Sequence, residues 1–292
     1  MDGIREIETR PIPRQTLVGL VLIALAWPLD WLLPGLRTHL LFFPLWLGYS
    51  LAVDGLVWWR TGTSLLTRSW RGYVGLFLVS APAWWLFEVI NWRTQNWTYV
   101  GREYFTDWQY FLLASLSFST VMPAVFGTAE LVASLGWVQR IRPGLRLTMD
   151  KGNAHWYFLG GLAMLGLLLA FPHYFFALVW LSLYYIFEPI NVWLGHRSLA
   201  EPFQRGDWRP AIALWLGTLT CGFFWEMWNY FSYPKWVYHV PFVGFFHIFE
   251  MPILGYGGYL PFGMELFALY HLVSGFVGAD WHDFIRIGGD EH

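Results

Sequence analysis

Trp85-Leu86-Phe87-Glu88-Val89-Ile90-Asn91, followed shortly by Trp97-Thr98-Tyr99, returns later in the chain as Phe224-Trp225-Glu226-Met227-Trp228-Asn229 and then Trp236-Val237-Tyr238. The Glu and Asn recur at a shift of 138 residues, the Trp and Tyr at 139. The correspondence spreads outward. Pro34 matches Pro172, Trp46 matches Trp180, Asp54 matches Glu188 and Trp58 matches Trp193. Ser64-Leu65 match Ser198-Leu199, Trp70-Arg71 match Trp208-Arg209, and Pro123 matches Pro261. Shifts between 134 and 139 need only short gaps. An internal repeat of this length governs how everything else is read.

The repeat lies in membrane-type sequence. The chain is 56% hydrophobic, 21% aromatic and only 13% charged, about half the charge of an average soluble domain (~25%). Its net charge of −2 implies no pull toward nucleic acid. One cysteine, Cys221, excludes an internal disulfide and any cysteine-built metal cage.

A bilayer crossing takes about 20 predominantly apolar residues. Such runs fall near 15–33, 38–59, 71–91, 108–138, 155–171, 173–195, 208–231 and 242–275. This pattern predicts an all-α integral membrane protein of eight transmembrane helices. The first run follows Arg14 as a signal peptide would. However, Trp27-Pro28-Leu29-Asp30-Trp31 stands where a small-residue cleavage site belongs, so it reads as a retained span. The fourth and eighth runs are too long for one straight crossing. Pro123 interrupts one, and Pro252, Gly255, Gly257, Gly258 and Pro261 interrupt the other. Each is expected to begin as an interfacial or re-entrant piece, which is tolerated where protein or a wet cavity satisfies the backbone. A plain proline kink is the other reading of Pro123.

With the N-terminus inside, fourteen Lys and Arg fall in cytoplasmic segments, among them Arg5, Arg10, Arg60, Arg68, Arg140, Arg197 and Arg286. Four (Arg37, Arg93, Arg102 and Lys235) fall outside. That bias predicts both termini in the cytoplasm and a location in a bacterial inner membrane. Four spans per copy return the chain to its starting side, so the copies are expected to be parallel four-helix repeats. The organisation is then a cytoplasmic segment 1–14, repeats 15–138 and 155–275, a basic linker 139–154 and a cytoplasmic tail 276–292.

An ionisable group inside a membrane is costly and therefore a functional candidate. The sharpest are Glu88 and Glu226, each three residues before Asn91 or Asn229 and so on one helix face. Carboxyl and amide are positioned to hydrogen-bond locally, with the amide orienting the acid. If the two acids face a shared centre, a carboxyl kept neutral there is suited to general-acid work. Equally, repeated Glu/Asn pairs serve as ties between helices. Glu265, four residues after Pro261, is a third candidate, with Glu130 as its displaced counterpart. Asp54 and Glu188 read as structural anchors. Aromatic residues crowd the motifs. Trp97, Tyr99, Trp225, Trp228, Trp236 and Tyr238 are the candidate ligand contacts, since aromatic faces stabilise cations and pack flat apolar ligands. They also suit a lipid-facing belt. No histidine pair has metal-ligand spacing and no phosphate-binding glycine loop occurs, so no metal or cofactor is assigned. Gly160, Gly161 and Gly166 are expected to permit close helix packing.

Trp225-Glu226, Trp236-Val237-Tyr238 and Leu260-Pro261-Phe262-Gly263-Met264-Glu265-Leu266-Phe267 together resemble the motif order of the membrane lycopene-cyclase domains of the heterodimeric type and their carotenoid-hydratase relatives. The resemblance covers about 50 residues, with a fainter echo from Phe87 to Glu130. That family carries paired acids after its proline, and they are expected to protonate the polyene. Here Glu265 stands alone and one position late. The resemblance implies repeated membrane domains and an isoprenoid-modifying enzyme that works by acid-initiated cyclisation or hydration. The partners expected are a lipophilic isoprenoid or pigment, membrane lipid and other membrane proteins, with no nucleic acid. A non-enzymatic pigment- or quinone-binding subunit is the alternative, and a transporter the third.

Overall fold

The computed structural model describes residues 11–278 and 284–288; Arg5 and Arg10 lie outside them. The chain forms helices α1 (Arg14–Leu32), α2 (Thr38–Thr61), α3 (Leu65–Arg68), α4 (Trp70–Thr94), α5 (Asp107–Phe118), α6 (Val121–Ala133), α7 (Gly136–Gln139), α8 (Ala154–Ala170), α9 (Pro172–Phe175), α10 (Ser182–Leu194), α11 (Ala200–Gln204), α12 (Arg209–Tyr230) and α13 (Tyr259–Phe276). Four short strands complete the set: β1 (Trp97–Val100), β2 (Lys235–Tyr238), β3 (His247–Ile248) and β4 (Met251–Pro252). Apolar runs without access to water must bond their backbone internally, and the helix does so within one segment.

Among the described residues, four helical segments are long and apolar enough to cross a bilayer: α1, α2, α4 and the stretch 107–133 formed by α5 and α6. A fifth is the pair 172–180 and 182–194, bent by 42°. α8 is shorter, and α12 and α13 are less apolar. The breaks differ from those expected. The fourth run breaks at Ser119–Thr120, not at Pro123. Pro123 sits in the first turn of α6, where its missing N–H has no helical partner to lose. The sixth run breaks at Leu181, which no proline or glycine marks. The eighth run is helical only from Tyr259. Before it come turns, the β3–β4 ribbon and a 3-10 turn at Ile253–Gly258, with Phe242, Phe245 and Phe246 exposed.

α6 and α13 lie at the centre. α6 packs on α2, α4 and α12, while α13 packs on α4, α10 and α12. α1 pairs with α2 and α8 with α10 at the rim, and Leu17, Leu20, Leu25, Leu159 and Leu162 are exposed there. Close approach depends on particular glycines. A Cβ on Gly161 would lie 2.7 Å from the Tyr185 backbone of α10, whereas Gly160 and Gly166 face open space. Of that expected trio, Gly161 alone serves packing.

Matched positions exchange partners. Trp46 of α2 rests on Trp225 of α12 at 5.1 Å, and Trp180, just before α10, stacks on Phe87 of α4 at 5.8 Å. β1 and β2 pair antiparallel with Trp97 opposite Tyr238 and Tyr99 opposite Trp236, centred on Thr98 and Val237.

Buried carboxylates organise the other end of the bundle. Asp54 accepts from Ser64 Oγ (2.8 Å) and Leu66 N (3.0 Å), and Glu188 accepts from Ala200 N (3.0 Å) and Leu199 N. Each fixes the start of a short helix, α3 or α11. Glu130 pairs with Arg68 and accepts Arg286 N at 2.7 Å. Segment 284–288 is strapped there, with Phe284, Ile285 and Ile287 buried. Arg68 and Arg197 donate to the carbonyls of Phe284 (2.9 Å) and Ile285 (2.6 Å).

Candidate functional site

α4 ends where Gln95 turns left-handed at φ 54° and aims the chain back over the helix. Asn91 reaches past that end and clamps the first residue of β1. Its amide donates to Trp97 O (2.9 Å) and accepts from Trp97 N (3.3 Å). Asn229 does the same from α12 to Trp236, at 2.8 and 2.9 Å. The carboxyl–amide bond expected within each helix is not among these. A strand entering a poorly hydrated site needs its N–H and C=O satisfied, and the amide, with both donor and acceptor, meets that need. Asn91 and Asn229 therefore position the ribbon rather than the acids.

The ribbon borders a partly open chamber of ≈ 170 Å³, far above the ~10–15 Å³ that holds one water. α4, α5, α12, α13 and the 3-10 turns before α10 and α13 supply its walls. Trp84, Trp97, Phe118, Trp180, Trp225, Trp236 and Phe262 present ring surface to it, together with Tyr99, Tyr110, Tyr238 and Tyr259. Trp97 stacks on Trp180 at 5.9 Å, and Phe262 meets Trp84, Phe87 and Trp180 edge-on. His39, Arg102 and Lys235 are the cationic or imidazole side chains on the lining. Arg102 pairs with Asp107, and Lys235 with Glu250.

Glu88 and Glu226 stand behind this lining, buried in α4 and α12. Glu88 Oε1 accepts from Tyr99 Oη (2.5 Å), Trp84 Nε1 (2.9 Å) and Trp97 Nε1 (3.0 Å). Glu226 Oε1 accepts from Tyr259 Oη (2.6 Å) and Tyr238 Oη (2.7 Å). Each acid thus touches the chamber through phenols that line it. Glu265 is elsewhere. Its Oε1 accepts Leu183 N at 3.1 Å, holding the start of α10 beside the Leu181 break.

Of the six expected aromatic contacts, Trp97, Tyr99, Trp225, Trp236 and Tyr238 line the chamber. Trp228 does not. One turn beyond Trp225, it packs with Trp27, Trp46, Tyr49 and Phe224. Tyr259 is the residue that sequence reasoning passed over. Its signal was present but unread, since it stands two residues before Pro261, immediately ahead of the motif already singled out. Among the described residues no group of three His, Cys, Asp or Glu side chains is placed to hold a metal ion. Compared with known proteins, the chain matches no family model, no curated protein and no solved structure.

Proposed function

We propose that this chain is an inner-membrane enzyme that binds a lipophilic isoprenoid, of the polyene type, in the aromatic chamber and acts on it by acid-initiated cyclisation or hydration. The observation that carries the reading is the chamber itself. Its walls are aromatic faces suited to a carbocation, and three of its phenols, Tyr99, Tyr238 and Tyr259, are bonded to two buried carboxyls. The resemblance to lycopene-cyclase and carotenoid-hydratase domains agrees in substrate class. It differs in the acid: Glu226 and Glu88 adjoin the chamber, whereas Glu265 is committed to α10.

The same proposal takes the protein as eight spans in two parallel four-helix repeats, with both termini cytoplasmic. The exchange of partners between Trp46/Trp225 and Trp180/Phe87, and the ribbon centred on Thr98 and Val237, are what a two-fold relation between like halves requires. In this view α8 and α10 answer α1 and α2, α12 answers α4, and α13 answers α5–α6. Reporter fusions at both termini and in the 139–154 linker test it, and a C-terminal reporter active only outside the cytoplasm overturns it.

Expression in a lycopene-accumulating host, followed by pigment chromatography, tests the chemistry. A new cyclised or hydrated pigment supports it. An unchanged profile with well-folded protein overturns the carotenoid version. A second reading, a pigment- or quinone-binding subunit, draws on the same apolar lining and is favoured by coloured ligand that copurifies unchanged. Transport has less support. A second cavity near Arg68 and Glu130 measures ≈ 10 Å³ and shares no lining residue with the chamber.

A further inference from the structure

The two carboxyls behind the chamber wall are held differently, and the difference traces to two exchanged positions. At the 138-residue shift, Trp84 corresponds to Gly222 and Val121 to Tyr259. In the first half the bulky donor stands on the acid's own helix: Trp84 lies one turn before Glu88, and Val121 leaves it room. In the second half the order is reversed. Gly222, one turn before Glu226, has no side chain, and the Tyr259 ring of α13 fills the gap. A Cβ on Gly222 would lie 2.4 Å from two atoms of that ring.

The exchange changes the chemistry available to each acid. Glu88 receives two indole N–H groups and one phenol. An indole only donates and cannot take up a proton in return, whereas a phenol donates and accepts. The hydrogen bonds Glu226 Oε1 accepts come from two phenols, Tyr238 and Tyr259, both of which line the chamber, while the Trp236 indole stands beside the same carboxyl with its N–H unpartnered. Glu226 Oε2 is enclosed with no hydrogen-bond partner. An oxygen carrying its own hydrogen tolerates that position better than an anionic one.

We infer that Glu226 is the proton source of the chamber and that Tyr259 is the group that delivers its proton to the ligand, while Glu88 is a fixed acceptor that holds the Trp97–Tyr99 wall. This inference rests on the acid-initiated reading above. In the step, the Tyr259 hydroxyl turns from Glu226 Oε1 to a ligand double bond and the carboxyl rotates to bring its Oε2–H against the phenol oxygen. The phenol proton forms a new C–H bond with the π electron pair, and the acid proton of Glu226 passes to the phenol oxygen. Glu226 is left as a carboxylate and the ligand as a carbocation among the aromatic rings. Loss of a proton from a neighbouring ligand carbon to the phenol, with return of the phenol proton to Glu226, restores both groups. No net oxidation occurs.

The test uses purified full-length protein carrying Glu226→Gln, Glu226→Asp, Tyr259→Phe, Glu88→Gln or Trp84→Phe, with folding followed by thermal unfolding. Infrared spectra in H2O and D2O read the acid carbonyl whether or not turnover occurs. The expected result is a deuterium-sensitive carbonyl band that vanishes in E226Q, persists in E88Q and moves in Y259F. With lycopene as the probe, E226Q and Y259F should bind it as the wild type does, yet lose conversion by ~10²–10⁴-fold. E226D should restore part of the rate, and E88Q and W84F should each lose less conversion than E226Q. A band lost in E88Q instead, or equal loss of conversion in the two Glu→Gln variants, overturns the inference. A wild type that binds lycopene without converting it overturns the carotenoid version of that reading alone, and the infrared band then decides this one. If E226Q does not fold, an unmoved band in Y259F overturns it.

Discussion

Gly222→Ala isolates the packing on which the second acid depends. The new Cβ would sit 2.4 Å from Tyr259 Cδ2 and Cε2 and 2.8 Å from Cγ. Carbon atoms in contact rest about 3.5 Å apart, so the ring must retreat by about 1 Å. The Tyr259–Glu226 bond is 2.6 Å, and a displacement of that size along it carries the pair past hydrogen-bond reach. Overpacking of this kind costs ~1–3 kcal/mol, and the lost bond adds ~1 kcal/mol. Against this, Ala in a helix interior is favoured over Gly by up to ~1 kcal/mol. The clash wins, for a net destabilisation of ~1–3 kcal/mol by the same principles. Thermal unfolding in detergent measures it, and a double-mutant cycle with Tyr259→Leu assigns it. Removal of the ring should relieve most of the cost of G222A. If G222A is neutral, or equally damaging with and without the Tyr259 ring, the size exchange between Trp84/Val121 and Gly222/Tyr259 is not what seats Tyr259.

Other perturbations follow from the same geometry. Asn91→Ala and Asn229→Ala each remove two hydrogen bonds to a strand backbone and should cost ~2–3 kcal/mol. Both should also release chamber ligand, read by tryptophan fluorescence, whereas a loss under about 0.5 kcal/mol would show that the ribbon stands without its clamps. Arg68→Ala strands the buried Glu130 carboxyl and should cost ~3–5 kcal/mol, with Arg68→Ala/Glu130→Gln milder than the single change. At Asp207, in the loop before α12, burial opposes the charge. Nevertheless, the Arg209 side chain and backbone N–H hold the carboxyl below its usual range. A depressed folded value stabilises at neutral pH and is lost as pH falls through it. Asp207→Asn should therefore flatten the acid limb of Tm against pH below about pH 4, and an unchanged limb refutes that account.

What the sequence determined by itself is the membrane character, the paired motifs and which side chains are rare enough in lipid to matter. Hydrophobic run length and the cost of buried charge act locally and leave their mark on composition. Asp54 and Glu188 read as anchors from their place near the end of an apolar run, and they cap α3 and α11. The tertiary structure alone decided what each polar group is bonded to. Asn91 and Glu88 share a helix face, so either could serve the other. Only the left-handed turn at Gln95 brings Trp97 back within reach of both. Trp225 and Trp228 are alike in sequence, but one turn of helix separates chamber wall from core. Glu265 sits in the motif that carries the resemblance, yet the break at Leu181 exposes backbone N–H groups that claim its carboxyl. Tyr259 reaches Glu226 across 33 residues because Gly222 leaves the space. A hydrogen bond needs contact and not proximity along the chain, and contact is fixed only when the helices have packed.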